Sequence, residues 1–233
     1  MKSLFRPIAL LAVALPLALG ACGSKEPEQR AAFAQFLKTR IVDKPGIHVP
    51  QPTNEETESF GDYASHYQVI TDFHAGMDAS VKPLGGMMQK TSMRSLGDIM
   101  GRRDELKTVQ SALGEMGAAL KEERSKADAA RAKLQQPDDL KTVYDQAYEK
   151  TVTLPADTFA DVLPQLSATL DASLNVADYV SAHQAQIDVS GPVVKVSDPA
   201  VQQQLNQLLQ DLNAQARNMQ QAQTRLQAVM IGR

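Results

Sequence analysis

The chain has 233 residues, with 24 lysines and arginines, 27 aspartates and glutamates and a net charge of −3. This slightly acidic balance gives no basic surface of the kind that binds nucleic acid. There is one cysteine and no tryptophan, so a disulfide framework and a cysteine-based metal site are excluded. Such a composition suits helices packed by leucine, alanine, valine and methionine.

The first 21 residues have the pattern of a secretory signal. A basic start precedes an apolar run over residues 8–19, which leads into Leu-Gly-Ala-Cys at residues 19–22. The run is shorter than the roughly 20 apolar residues that a spanning helix needs. A short apolar run that ends in small residues is typical of a removed signal peptide. We therefore predict cleavage between Ala21 and Cys22.

The cysteine at this point indicates attachment of lipid. Leu-Gly-Ala-Cys resembles the lipobox of bacterial lipoproteins, in which the thiol takes a diacylglycerol and the new amino group is acylated. The resemblance implies a covalent lipid on Cys22 that anchors the protein in a membrane. Because no aspartate follows at residues 23–24, it also implies the inner leaflet of the outer membrane, facing the periplasm. An ordinary signal peptide with a chance cysteine is the alternative.

Removal of 21 residues from 233 leaves 212, enough for one domain with its own core. Without Lys2 and Arg6, 22 basic residues remain against 27 acidic ones, a net charge of −5. We interpret residues 22–28 as a lipidated linker and residues 29–233 as a single helical domain.

Apolar residues recur at steps of three and four through most of the mature chain, the spacing of one helical face. The first such run covers residues 28–41. Thr53 and Glu56 form a capping-box pattern, which predicts the start of a second helix. That helix should end near Pro83. Its apolar stripe consists of Phe60, Tyr63, Tyr67, Ile70, His74, Met77 and Val81.

Three further helices are predicted before residue 187. A long helix should run from Arg103 to Leu134. Asp138 and Asp139 have the side chains of N-cap residues, which predicts the start of the next helix. Pro155 suits the first turn of the helix after that, where a missing amide hydrogen costs nothing.

The segment 187–196 differs from the rest, because apolar residues alternate on both sides of a Ser-Gly turn. This pattern predicts a small β-hairpin. Asp198-Pro199 is typical of a capped helix start, and the last helix should reach about Met230. Heptad stripes are buried best against one another. The predicted fold is therefore mainly all-α, an antiparallel helical bundle with long coiled-coil-like helices and one hairpin near 187–196.

No pattern of residues indicates catalysis or a metal site. Six of the nine methionines lie between Met77 and Met116, and thioethers suit Cu(I), but methionine also fills gaps in helical cores. We interpret His74, on an apolar stripe, as a core histidine with one hydrogen-bond partner. Since the sequence motifs of nucleophilic hydrolases are absent, we expect no enzyme, no catalytic residue, no bound metal and no cofactor other than the lipid.

Two patches of sequence resemble the YiaF-like family of uncharacterised bacterial lipoproteins. They are QRAAFAQFL at residues 29–37 and DDLKTVYDQAY at residues 138–148, the second continuing to Asp157. Residues 126–130 and 178–179 agree with the family as well. The resemblance implies lipidation and a helical domain, and it supplies no catalytic residue.

Within the second patch, Lys141, Asp145 and Lys150 face away from the packing stripe. We therefore take these three as candidates for a surface that meets a partner. The favoured function is a non-enzymatic envelope lipoprotein, a helical interaction module for a protein or a wall component. The alternative is a periplasmic chaperone or carrier that holds an apolar ligand between helices, and a hydrolase is a remote third. An apolar cavity of several hundred Å³ would favour the carrier.

Overall fold

The computed structural model describes residues 25–88, 95–190 and 193–232. The predicted signal peptide and Cys22 lie outside the described residues. The prediction of a mainly helical protein with one small hairpin is confirmed. In chain order the elements are α1 (Glu26–Leu37), α2 (Asn54–Phe60), α3 (Ala64–Met88), α4 (Leu96–Gly101), α5 (Arg103–Arg131), α6 (Asp138–Tyr148), α7 (Leu154–Ala182), β1 (Ile187–Asp188), β2 (Lys195–Val196) and α8 (Pro199–Ile231).

Short turns of wider or tighter helix connect several of these elements. A π-helical turn at Lys38–Val42 extends α1, and a second at Glu149–Thr153 joins α6 to α7. A 3₁₀ turn at Gly61–Tyr63 joins α2 to α3. As a result, α6 and α7 form one almost continuous helix, with Pro155 in the first turn of α7 as expected.

The local signals for helix starts are confirmed at two positions. At α2 the Thr53 hydroxyl accepts a hydrogen bond from the Glu56 amide (3.1 Å), and the Glu56 carboxylate accepts one from the Thr53 amide (2.8 Å). At α8 the Asp198 carboxylate accepts hydrogen bonds from the amides of Ala200 and Val201. Each cap satisfies amides that have no carbonyl partner inside the helix.

Two expectations about helix boundaries are wrong. Asp138 and Asp139 are not N-caps, because Pro137 occupies that position and the carboxylates lie in the first turn of α6. There their negative charges still interact favourably with the positive end of the helix dipole. Nor does Pro83 end α3, which continues to Met88. The proline leaves the carbonyl of Ala79 without its donor, and because Ala79 is exposed, water can take that role.

The four longest helices lie side by side in a row. α3 packs against α5, α5 against α7 and α7 against α8, while α1 packs on α2 and α6. Hydrogen bonds from Thr169 to the carbonyl of Gln215 and from Tyr179 to that of Val201 show that α7 and α8 are antiparallel. α8 packs chiefly on α7, so much of its surface remains exposed.

Most of the buried apolar side chains among the described residues belong to two clusters. The larger one contains the aromatic residues of α1, α2, α3 and α6, together with the stripe of α5. The smaller one joins α7, the hairpin and the start of α8. In the hairpin Ile187 pairs with Val196, and Asp188 with Lys195.

The predicted stripe of α2 and α3 is largely confirmed. Five of its residues are buried: Phe60, Tyr63, Tyr67, Ile70 and Met77. Phe73, which the heptad pattern left out, is also buried, and His74 is half-buried. An α-helix has 3.6 residues per turn rather than 3.5, so the inward face drifts by about 20° per heptad relative to a strict repeat.

Candidate binding groove between two helices

The seam between α5 and α7 is bridged by polar side chains at intervals. The three bridges run in antiparallel order: Arg103 with Asp178, Gln110 with Asp171, and Arg124 with Asp157. In the Arg124–Asp157 bridge the two charged groups are 3.9 Å apart. Between the second and third bridges the two helices leave a groove.

This groove has a volume of about 480 Å³ and is partly open to solvent. It extends along α5 from Gln110 to Arg124, which at 1.5 Å per residue is about 21 Å. Its lining is mostly apolar. The larger side chains in the lining are Phe73, Leu113, Leu120, Phe159, Leu163 and Pro164, and the smaller residues are Gly114, Gly117, Ala156 and Ala160.

The small residues are the reason that the groove is open. A Cβ atom placed on Gly114 would meet nothing within 4 Å. One placed on Gly117 would lie 3.5 Å from Leu163, an ordinary contact distance. Neither glycine has a backbone conformation that requires glycine. A side chain could therefore fill the space at either position, and the sequence leaves it empty.

Positive charge lies at one end of the groove. The Arg124 guanidinium donates to the Asp128 carboxylate (2.8 Å), the Thr153 hydroxyl (3.3 Å) and the carbonyl of Val152 (3.4 Å), which fix it in place. Lys121 is exposed and has no hydrogen bond or ion pair with any described residue. This end therefore presents one ammonium group that the fold itself does not neutralise.

Phe159 and Leu163 belong to the apolar stripe of α7, but both are only half-buried and line the groove. A stripe indicates which side of a helix faces inward, not how closely the neighbouring helix approaches. The small residues that occur on both helices could have indicated the groove from the sequence. Gly114 and Gly117 on α5 line the same groove as Ala156 and Ala160 on α7.

A second cavity lies on the opposite side of α7, against α8. It has a volume of about 610 Å³, and its lining is more polar than that of the groove. Asp161 and Arg225 line it from the two helices, and neither has an ion pair with a described residue. The other polar residues that line it are Thr158, Gln165, Asn218 and Gln221.

The three candidate surface residues on α6 and the π-helical turn after it fall into two groups. Asp145 accepts hydrogen bonds from Lys141 (2.5 Å) and Arg131 (2.8 Å). Partial burial raises the pKa of the Asp145 carboxyl, but these cations outweigh that effect and hold the pKa below its ordinary value. Lys150 lies apart from them. Its ammonium donates to backbone carbonyls in and just after the first π-helical turn, namely Ile41 (3.0 Å), Val42 (3.1 Å) and Lys44.

His74 has the environment that the sequence predicted, with a single partner. Its Nε2 lies 2.6 Å from the carbonyl oxygen of Thr151 in the second π-helical turn. Burial lowers the pKa of His74, while the hydrogen bond and the nearby Asp78 act in the opposite direction. Met77 and Met116 are buried in the larger cluster, which agrees with a packing role. Within residues 25–88, 95–190 and 193–232, no three acidic, histidine or cysteine side chains converge as metal ligands.

None of the described helices combines the length and apolar character needed to cross a bilayer. The sequence model of the family described as "Protein of unknown function (DUF3053)" matches residues 8–227. Proteins named "Uncharacterized protein YiaF" from Escherichia coli strain K12, Escherichia coli O157:H7 and Shigella flexneri are each 28% identical over 224 residues, which cover 94% of this chain and 93% of theirs. No solved structure matches the chain. The resemblance seen in the sequence is confirmed, and the chain belongs to the DUF3053 family of proteins of unknown function.

Proposed function

We propose that this protein is a non-enzymatic lipoprotein of the bacterial cell envelope that holds an acyl chain in the groove between α5 and α7. Of the two binding functions expected from the sequence, the groove favours the carrier over the interaction module. A concave site of several hundred Å³ with a mainly apolar lining is the usual form of a small-molecule site. No residue has a catalytic role in this proposal.

The dimensions of the groove suit an acyl chain. One leaflet of a bilayer, about half of a hydrocarbon core of about 30 Å, accommodates a full chain in about 15 Å. The groove extends for about 21 Å between its polar ends. Leu113, Leu120 and Phe159 would contact the chain along this length, and each methylene removed from water would contribute about 0.8 kcal/mol.

The test fills the groove and measures binding of a neutral fluorescent acyl probe. The protein is the mature chain carrying Cys22→Ser, which cannot be acylated. Gly114→Leu and Gly117→Leu together should abolish binding of the probe. Because leucine favours a helix over glycine by about 1 kcal/mol, this variant should fold at least as well as its parent.

Gly101→Leu is the matched control, since it is also helical, has open space around it and lies outside the groove. It should leave binding of the probe unchanged. If the parent protein does not bind the probe, the acyl-chain function is wrong. A dimer that dissociates in the Gly114→Leu, Gly117→Leu variant would instead identify a second copy as the occupant.

Lipidation of Cys22 and the envelope location are part of the same proposal. They rest on Leu-Gly-Ala-Cys at residues 19–22. Cells that express the full precursor and are labelled with radioactive palmitate should incorporate label into the wild type and not into Cys22→Ser. A Cys22→Ser protein that still takes up label and stays in the membrane fraction would contradict the anchor.

A second candidate function is binding of a wall component, and the cavity between α7 and α8 favours it. Asp161 and Arg225 offer charges of both signs from its two walls, and a short peptide carries matching groups. Isolated cell-wall material should then retain the Cys22→Ser protein and release the variant with Asp161→Ala and Arg225→Ala. Equal retention of both proteins would count against this site.

A further inference from the structure

We propose that the ligand of the α5–α7 groove is a single-chain anionic amphiphile whose head group lies at Lys121 and whose chain points toward Gln110. This inference rests on the acyl-chain function proposed above and adds the class and the orientation of the ligand. The recognised chemistry is one acyl chain with a negative head group. A free fatty acid and a monoacyl phospholipid with an acidic head both fit that description.

The two ends of the groove differ in charge. Lys121, Arg124 and Asp157 line one end, and Asp128 just beyond it is paired with Arg124, so Lys121 is the cation there without a partner among the described residues. Gln110 and Ser167 line the other end, where Gln110 donates a hydrogen bond to the Asp171 carboxylate. An anionic head group is therefore favoured at the first end, and the other end leaves room for the terminus of the chain.

Lys121 is the cation available to a ligand. The charge of Arg124 is already shared with Asp128 at 2.8 Å and with Asp157 at 3.9 Å. Lys126, one turn further along α5, forms ion pairs with Glu122 and Glu123 at 2.8 Å each. Lys121 has no such partner among the described residues. An ammonium at the mouth of an apolar groove is the arrangement that a fatty carboxylate or an acidic phosphate ester complements.

The geometry also excludes a deeply buried head group. Asp157 has 71% of its side chain exposed, and Lys121 is exposed as well. The head group would therefore stay in contact with water while the chain lies against Leu120, Phe159 and Leu163. An exposed ion pair contributes at most about 1 kcal/mol, which corresponds to about a fivefold change in affinity.

The experiment compares three ligands with the same chain: laurate, the neutral monoester monolaurin, and lauroyl lysophosphatidylglycerol. Each displaces the neutral fluorescent probe from the mature chain carrying Cys22→Ser. We expect the better of the two anionic ligands to bind about fivefold more tightly than monolaurin at low salt. The difference should shrink as salt screens the exposed charges.

Lys121→Gln should remove this preference and leave the affinity for monolaurin unchanged. Lys107→Gln, another exposed lysine of α5 that does not line the groove, is the control and should keep the preference. The ranking of laurate against the lysophospholipid then distinguishes a free carboxylate from a phospholipid, and either ranking supports the proposal.

Two results would overturn it. If monolaurin binds as tightly as both anionic ligands, or if Lys121→Gln keeps the preference, the head-group assignment is wrong and the acyl-chain function stands. If none of the three ligands displaces the probe because the probe itself does not bind, the acyl-chain function fails and the head-group assignment fails with it.

Discussion

Aromatic rings hold α1, α2, α3 and α6 together, whereas α7 and α8 are joined mainly by aliphatic side chains. Phe33 contacts four other rings at centroid distances of 5.3–6.5 Å, and Tyr144 and Tyr148 are fully buried beside it. The smaller cluster contains no aromatic residue among its buried members, which are Val176, Val180, Ile187, Val201 and Leu205. Each aromatic ring buries about 150–250 Å², so the first region is the more strongly stabilised.

The two regions also differ in the space that they offer to a ligand. Two of the larger cavities border α7, the apolar groove on its α5 side and the polar cavity on its α8 side. The aromatic side chains that line them are Phe73 and Phe159, both in the groove, so a ligand there leaves the rings around Phe33 in place. We infer that the aromatic region serves as the scaffold and that the sides of α7 are free to evolve binding.

The strongest test of this comparison removes a ring from the first region. Phe33→Ala should lower the free energy of unfolding by about 3–5 kcal/mol, the usual cost of a buried phenylalanine. Leu209→Ala on α8 removes a half-buried side chain and should cost less than half as much. Urea unfolding followed by circular dichroism measures both. Equal losses would mean that the two regions are equally stabilised.

The next test concerns the contact between the two π-helical turns. Lys150→Met keeps the length of the side chain but removes the ammonium, which leaves the carbonyls of Ile41 and Val42 without that donor. We expect a loss of about 1–2 kcal/mol in the free energy of unfolding, since water can partly replace the ammonium. Lys141→Met, at an exposed ion pair, should cost about 0.5 kcal/mol or less. The opposite order would show that the Lys150 contacts do not stabilise the scaffold.

Substitutions at the helix caps of the two regions should have smaller and more local effects on stability. Thr53→Ala and Asp198→Ala should each cost about 1 kcal/mol. Thr53 lies in the aromatic region, so its loss should leave hydrogen exchange of α8 unchanged. Asp198→Ala should speed exchange in the first turns of α8 and leave α2 unchanged. Exchange that rises in both regions in either variant would show that they unfold as one unit.

The smallest effect that we expect is on the way the free energy of unfolding changes with pH. Burial lowers the pKa of His74 and of His66 in the aromatic region, so the unfolded chain binds protons more readily than the folded one. The contribution of these two histidines to the free energy of unfolding should therefore be fully present above the ordinary histidine pKa near 6.5 and should fall as the pH drops below it. His74→Leu should flatten part of the decline between about pH 6.5 and about pH 5, and His66→Gln should flatten another part of it. A decline unchanged in both variants would show that neither ring is desolvated.

Local chemistry made many of the elements predictable. The Thr53–Glu56 capping box, the Asp198 cap and the hairpin at residues 187–196 depend on neighbours within a few residues, and the structure has all three. The stripe over Phe33, Phe36, Leu37 and Ile41 was equally readable, because one helical face must be buried. The family resemblance depended on the same short-range patterns.

Errors arose where a residue type was a poor guide to a helix boundary. Pro83 is a helix breaker by itself, yet α3 passes through it, at a point where Ala79 is exposed and water can take the place of the missing donor. Asp138 and Asp139 have capping side chains, yet Pro137 occupies the N-cap position and both aspartates lie in the first turn of α6. For α6 the error is a single position, and the burial of Leu140, Tyr144 and Ala147 stabilises the helix whichever residue caps it.

The sequence by itself determined where most of the helices are, which faces are apolar and how α2 and α8 begin, because these properties depend on residues three or four positions apart. Only the tertiary structure decided that the long helices lie in a row, so that α7 has neighbours on two sides. It also decided that the small residues Gly114 and Gly117 of α5 and Ala156 and Ala160 of α7 line the same seam, where they leave a groove open. The distance between two helices depends on side chains far apart in the chain, and no local pattern encodes it.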